Sequence, residues 1–184
     1  MRKPIEPKAL VDMVRDTLAA DPQALPIEVI SARPEWVELL VPCDLATAER
    51  ITGFMNHLRA DLPEEVRERV GPAFRELLTN AIEWGGKLDP NQKVRISYLR
   101  AKRMVLYRIA DPGTGFCFSD LSHAAVSNPE DSPFEHDTKR VEKGLRPGGF
   151  GIMLAKSMVD ELLYNEAHNE VVFIQYLDEE KKES

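Results

Sequence analysis

The sequence predicts an α+β fold, a two-layer sandwich in which one mixed sheet carries helices on one face. Residues 93–110 alternate between apolar and polar side chains, which is typical of two half-buried strands joined by a tight turn. Residues 44–82 repeat apolar side chains at intervals of three and four, which is typical of amphipathic helices. Because the strands fall into neighbouring hairpins with the helices grouped between them, a sandwich is favoured.

The first 33 residues are predicted to form an extension of the main domain. Residues 5–20 have the apolar spacing of a short amphipathic helix, which Asp21-Pro22 ends. Residues 22–33 are a proline-punctuated linker with a short strand at Ile27–Ile30. This extension is either an extra layer on the core or an arm that contacts a partner, and the sequence leaves both readings open.

The main domain is predicted to span residues 34–178, followed by a charged tail at 179–184. Asp44 is a good N-cap for its first helix, and Pro63 suits the first turn of the second. Gly71-Pro72 should kink or restart that second helix. In chain order, the expected elements are a strand at Trp36–Val41, a helix at about 44–59, a helix from about Pro63 to Gly85-Gly86, strands at Lys93–Arg100 and Met104–Ala110, a helix at about 151–159, and strands at Leu162–Asn165 and Val171–Leu177.

Composition narrows the classes of partner. The formal net charge of −7 disfavours direct binding to nucleic acid or to an anionic membrane, which needs a basic surface. No apolar run approaches the roughly 20 residues of a membrane span, and the first residues lack the apolar region of a signal peptide. Cys43 and Cys117 have no metal-binding spacing, which is typical of reduced thiols in a cytoplasmic protein.

Glu76 and Asn80 form the first candidate motif, at the end of the second helix. Residues four apart lie one turn above each other, so both side chains can point at the same spot. A carboxylate and an amide offer hard oxygen atoms, which suit Mg²⁺ or a water molecule. The alternative is an ordinary solvated helix face, because both residue types are common on surfaces.

The second motif is Asp111-x-Gly113-x-Gly115, which follows a predicted strand directly. Its two glycines allow the backbone to adopt positive φ and to approach a ligand closely. The carboxylate at the strand end can accept a hydrogen bond from an exocyclic amine such as that of adenine. The alternative is a plain turn between a strand and a loop.

The third motif, Gly148-Gly149-Phe150-Gly151, opens a predicted helix. Free backbone N–H groups and the positive end of the helix dipole make such a turn a site for anions, most often phosphate. A flexible loop hinge is the alternative reading of the glycines. Between the second and third motifs, residues 116–147 lose all periodicity, and a loop of that length is typical of a lid or a binding loop.

Taken in order, the three motifs and the loop predict a nucleotide pocket that lacks the Walker and dinucleotide-binding patterns. This arrangement resembles the GHKL (Bergerat-type) ATP-binding superfamily, which includes gyrase and the sensor histidine kinases. The single domain, the motif spacing and the segment TNAIEWG at residues 79–85 look most like anti-sigma-factor serine kinases of the RsbW/SpoIIAB type. The resemblance covers about residues 34–177, and Trp84 departs from it, since many relatives carry histidine there.

The resemblance implies a Bergerat-type fold and a role for each motif residue. It implies Glu76 as the general base, Asn80 as the Mg²⁺ ligand, Asp111 as the reader of adenine, Gly113 and Gly115 as the lining of the base pocket, Gly148, Gly149 and Gly151 as the phosphate-binding turn, and residues 116–147 as a lid over ATP. The cofactors would be ATP and Mg²⁺.

The same resemblance implies a regulatory protein kinase. The chain would bind a sigma-factor-like client and transfer phosphate from ATP to a serine of an anti-sigma-factor antagonist, and relatives of this type often form homodimers. Two alternatives remain open at this level. One is a nucleotide-gated interaction module that transfers no phosphate, and the other is a stand-alone catalytic domain of a histidine kinase whose acceptor lies on another chain.

Overall fold

The computed structural model of the chain describes residues 25–33, 35–117 and 150–177. The predicted helix at 5–20, most of the predicted lid, Gly148, Gly149 and the charged tail lie outside the described residues. The strands are β1 (Glu28–Arg33), β2 (Trp36–Pro42), β3 (Lys93–Arg100), β4 (Met104–Ala110), β5 (Glu161–Tyr164) and β6 (Glu170–Tyr176), and the helices are α1 (Leu45–Leu58), α2 (Glu64–Asn80) and α3 (Gly151–Met158). A π-helical turn, Ala81–Gly85, extends α2.

The six strands form one sheet in the order β1-β2-β3-β4-β6-β5. The α+β sandwich is confirmed, but within the described residues the sheet is not mixed, because each pair of neighbouring strands is antiparallel. The physical reason is the position of β6. The strands β4 and β5 run in the same direction, as a crossover through α3 requires, but β6 lies between them and pairs with both. Strand β1 is also longer than the predicted Ile27–Ile30 segment.

Helix α2 runs unbroken through Gly71-Pro72, so the expected restart at that point was wrong. An interior proline costs about 3 kcal/mol in a helix because it removes a backbone hydrogen bond and crowds the preceding turn. The buried stripe nevertheless continues on both sides of it, from Val66 to Leu77, within one core. The guanidinium of Arg59 also packs against Gly71, where a Cβ atom would lie 3.3 Å from Nη1. Tertiary packing therefore outweighs the local preference.

The core lies between the helices and one face of the sheet. Alternate residues of β2, β3, β4 and β6 are buried on that face, as the period of a strand requires. Tyr107 lies at the centre, with ring centroids 4.7 Å from Phe173 and 5.4 Å from Phe74. Asp44 caps α1 as predicted, because its carboxylate accepts a 2.8 Å hydrogen bond from the Thr47 N–H.

In the described part of the chain, no helix combines the length and apolar character needed to cross a membrane.

Candidate nucleotide-binding site

A large cleft, with a volume of about 1250 Å³, opens where β4 ends. Its walls come from the end of α2, the π turn, the loop after β4, the start of α3 and the turn between β5 and β6. Six of the eight site residues predicted from the sequence line this cleft: Glu76, Asn80, Asp111, Gly113, Gly115 and Gly151. The structure thus brings together three motifs that are far apart in the chain, while Gly148 and Gly149 lie outside its described residues.

Glu76 and Asn80 lie on the last turns of α2 and face the cleft. Leu77 and Leu78 anchor this end of the helix in the core, which leaves the two polar side chains half-buried beside it. A Cβ atom on Gly151 would lie 2.7 Å from Glu76 Oε2 and 3.3 Å from Asn80 Nδ2. Both side chains therefore converge on the first residue of α3.

Helix α3 directs its N-terminus into the cleft. Gly151 is its first residue, and Phe150, at the cap position, does not cap it through its side chain. The first N–H groups of a helix have no partner within the helix, and the dipole adds partial positive charge there. Because Gly151 has no side chain, a ligand or the Glu76 carboxylate can approach this backbone closely. The arrangement favours binding of an anion at the N-terminus of α3, next to the Glu76 carboxylate and the Asn80 amide.

Asp111 lies directly after the last residue of β4 and is fixed on several sides. Its N–H donates to the Asn169 carbonyl oxygen over 2.9 Å, and its Oδ1 accepts a 2.8 Å hydrogen bond from the Gly113 N–H. Burial raises the pKa of the Asp111 carboxyl above its usual value, and the Gly113 hydrogen bond opposes that rise. The result is a partly desolvated carboxylate in a defined orientation, which can accept a hydrogen bond from a ligand.

The π turn brings Gly85 against Asp111, a contact that sequence reasoning missed because Gly85 was read only as the end of a helix. A Cβ atom on Gly85 would lie 2.2 Å from Asp111 Cγ. A π turn is wider than an α turn, and the Gly86 N–H accordingly reaches back to the Ala81 carbonyl oxygen over 2.8 Å. A Cβ atom on Gly86 would likewise lie 2.1 Å from Cys43 Sγ. The two adjacent glycines were the signal in the sequence for these close approaches.

Gly115 is the position in this loop where glycine is required for conformational reasons. Its φ is +84°, and a Cβ atom there would lie 1.6 Å from the Ala167 carbonyl oxygen. The backbone of the loop after β4 therefore packs directly against the turn between β5 and β6. That turn was predicted only as a hairpin connection, and its residues were not predicted to belong to the site.

An aromatic cluster forms the wall of the cleft next to this loop. The ring of His168 stacks on Phe116 with centroids 5.2 Å apart, and Tyr164 lies edge-on to Phe116 at 5.7 Å. Burial raises the pKa of Tyr164, and the nearby Asp111 charge adds to that effect, so the phenol stays protonated. An apolar wall beside a carboxylate suits a flat heteroaromatic ring that carries an amine.

Comparison with known proteins agrees with this geometry. Residues 41–175 match the family model of the histidine kinase-like ATPase domain. The chain belongs to this family. The match confirms the resemblance to the GHKL superfamily and places the chain among its ATP-binding regulators, with kinase or ATPase chemistry. A comparison with curated proteins gave no match.

The residues present in this histidine kinase-like ATPase domain fit a magnesium–nucleotide complex. Among the described residues there is no cluster of three or more His, Cys, Asp or Glu side chains that could hold a metal ion alone. Mg²⁺ usually takes only one or two protein oxygens and completes its shell with phosphate oxygens and water. Asn80 offers one such oxygen beside a helix N-terminus that has no side chain at Gly151, and the Glu76 carboxylate lies next to it.

Proposed function

We propose that the chain is an ATP-dependent protein serine/threonine kinase of the anti-sigma-factor type. It would bind a sigma-factor-like client and phosphorylate a serine of an antagonist protein. The observation that carries the proposal is the convergence of Glu76 and Asn80 on Gly151, in the same cleft that Asp111 lines. That arrangement places a carboxylate at the helix N-terminus where the phosphates of ATP would bind, separate from the carboxylate that would read the base.

The proposed reaction is phosphoryl transfer. The hydroxyl oxygen of the acceptor serine forms a bond to the γ-phosphorus while the bond from that phosphorus to the bridging oxygen breaks, and ADP leaves with that oxygen. Glu76 accepts the proton of the serine hydroxyl. Asn80, together with phosphate oxygens, would hold Mg²⁺, which neutralises charge on the phosphates.

The test uses Mg-ATP labelled at the γ-phosphate and a panel of candidate antagonist proteins. We expect label on an antagonist with the native chain and at least a 100-fold slower transfer with Glu76→Ala, since general-base catalysis contributes about 10²–10⁴-fold. The control is Glu68→Ala, which changes an exposed glutamate on the same helix, away from the cleft. This control should transfer phosphate at the native rate.

Three results would contradict the proposal. ATP binding with no transfer to any antagonist would favour the nucleotide-gated interaction module, especially if Glu76→Ala kept partner regulation that Asp111→Asn abolished. An acid-labile phosphoprotein would indicate a histidine acceptor instead of serine. Equal activity of Glu76→Ala and Glu68→Ala would show that Glu76 is not the base.

A further inference from the structure

Among the described residues, no strand pairs with the loop after β4. The ladders of β4 with β3 and with β6 both end at Ala110, so the backbone of Asp111–Phe116 must be fixed by other contacts. The structure supplies them from the turn between β5 and β6, residues 165–169. The Asp111 and Phe116 N–H groups donate to carbonyl oxygens of that turn over 2.9 and 3.1 Å.

Asn169 contacts the loop through both its side chain and its main chain. Its Nδ2 donates to the Gly113 carbonyl oxygen over 2.9 Å, while the Gly113 N–H donates to Asp111 Oδ1 over 2.8 Å. The same residue accepts the Asp111 N–H through its main-chain oxygen. Asn169 therefore holds Asp111 directly through the backbone and indirectly through Gly113.

Asn165 fixes which way the Asn169 amide points. Its Nδ2 donates to Asn169 Oδ1 over 2.8 Å, which leaves the Asn169 NH₂ group turned towards Gly113. Its Oδ1 accepts the N–H groups of Asn169 and Glu170, each at 3.1 Å, and so closes the turn. The Asn165 and Asn169 side chains thus form a chain of hydrogen bonds that ends at the Gly113 carbonyl oxygen.

We propose that Asn169 is a positioning residue for nucleotide selection, and that Asn165 sets the orientation of its amide. The proposal rests on the role of Asp111 as the reader of adenine. A carboxylate accepts a hydrogen bond from the 6-amino group of ATP but is repelled by the 6-oxo group of inosine triphosphate. Discrimination between these two nucleotides therefore depends on the Asp111 orientation, which the Asn165–Asn169 pair holds in place.

The experiment measures dissociation constants for Mg-ATP and Mg-inosine triphosphate by calorimetry on the full chain. The variants are Asn169→Ala, Asn165→Ala and Asp111→Asn, with Glu166→Ala as an exposed control in the same turn. We expect Asn169→Ala to weaken ATP binding about tenfold, or about 1.4 kcal/mol, while inosine triphosphate binding changes much less. Asn165→Ala should also reduce the preference for ATP over inosine triphosphate, and Glu166→Ala should leave that preference unchanged.

A double variant separates this proposal from the assignment of Asp111 as the reader of adenine, on which the proposal rests. If Asn169 acts through Asp111, adding Asn169→Ala to Asp111→Asn should cause little further loss of preference. The proposal would be overturned if Asn169→Ala and Asn165→Ala kept the preference for ATP over inosine triphosphate, or if they lost affinity for both nucleotides equally. Asp111 would keep its role in either case. A preference that Asp111→Asn leaves unchanged would instead overturn the adenine assignment itself. If Asn169→Ala did not fold, Asn165→Ala alone would decide the matter, since it leaves the loop residues untouched.

Discussion

The substitution Gly85→Ala tests whether close packing behind Asp111 sets nucleotide affinity. The added Cβ would lie 2.2 Å from Asp111 Cγ and 2.3 Å from Oδ1. Carbon atoms in contact are about 3.5–4.0 Å apart, so one group must move by more than about 1 Å. The Asp111 backbone is held by Asn169, and we expect its carboxylate to turn away. Losing one charged hydrogen bond costs about 1.5–3 kcal/mol, which is roughly a 10- to 150-fold weaker ATP affinity.

The matched control is Gly53→Ala, in the middle of α1. A Cβ atom there would meet nothing within 4 Å, so the helix gains about 0.5–1 kcal/mol without a clash. We expect its melting temperature to rise by about 1–4 °C and its ATP affinity to stay unchanged. Gly85→Ala should lose about 1–3 kcal/mol of stability from overpacking.

Calorimetric titration with Mg-ATP, together with thermal unfolding of both variants, would measure these effects. If Gly85→Ala bound ATP as tightly as the native chain, Asp111 would have either room to move or no role in binding. The reasoning from the close approach would then be refuted.

Substitutions at Asp111, Gly115 and Arg59 give independent checks. Asp111→Asn should raise the melting temperature at neutral pH, because burial raises the pKa of the native carboxyl and so penalises its ionised form. The sign follows from linkage, because the folded wild type binds this proton more tightly than the unfolded chain and so recovers stability as pH falls towards about 3.9. The difference in melting temperature between Asp111→Asn and the wild type should therefore shrink from about pH 8 to about pH 4 in calorimetry. A difference that stayed constant with pH would contradict this. Gly115→Ala, at φ +84° and with its Cβ 1.6 Å from Ala167 O, should lose at least about 1–3 kcal/mol in urea unfolding and bind ATP more weakly. Arg59 is buried, and although its Nη2 donates to Asn56 Oδ1, its Nε and Nη1 have no hydrogen-bond partner among the described residues, so Arg59→Met should be neutral or stabilising by about 1 kcal/mol. Arg59→Ala, which leaves a cavity, should lose about 2–4 kcal/mol in chemical denaturation, and equal losses for both variants would show that the charge is needed.

The sequence by itself determined the elements of the main domain and the motif residues. Local signals carried that information, because strand alternation, helical spacing, the Asp44 cap and the Asp111-x-Gly113-x-Gly115 pattern each depend on neighbours in the chain. For the same reason, the order of motifs was enough to predict the superfamily, which the family match confirms.

Only the tertiary structure decided how these pieces meet. The insertion of β6 between β4 and β5 makes the sheet wholly antiparallel within the described residues, and packing against one core keeps α2 continuous through Pro72. The approach of Gly85 to Asp111 and the support of the loop by Asn169 join residues far apart in the sequence. No periodicity or spacing could reveal those contacts, because they arise when separate elements bury their apolar faces against the same sheet.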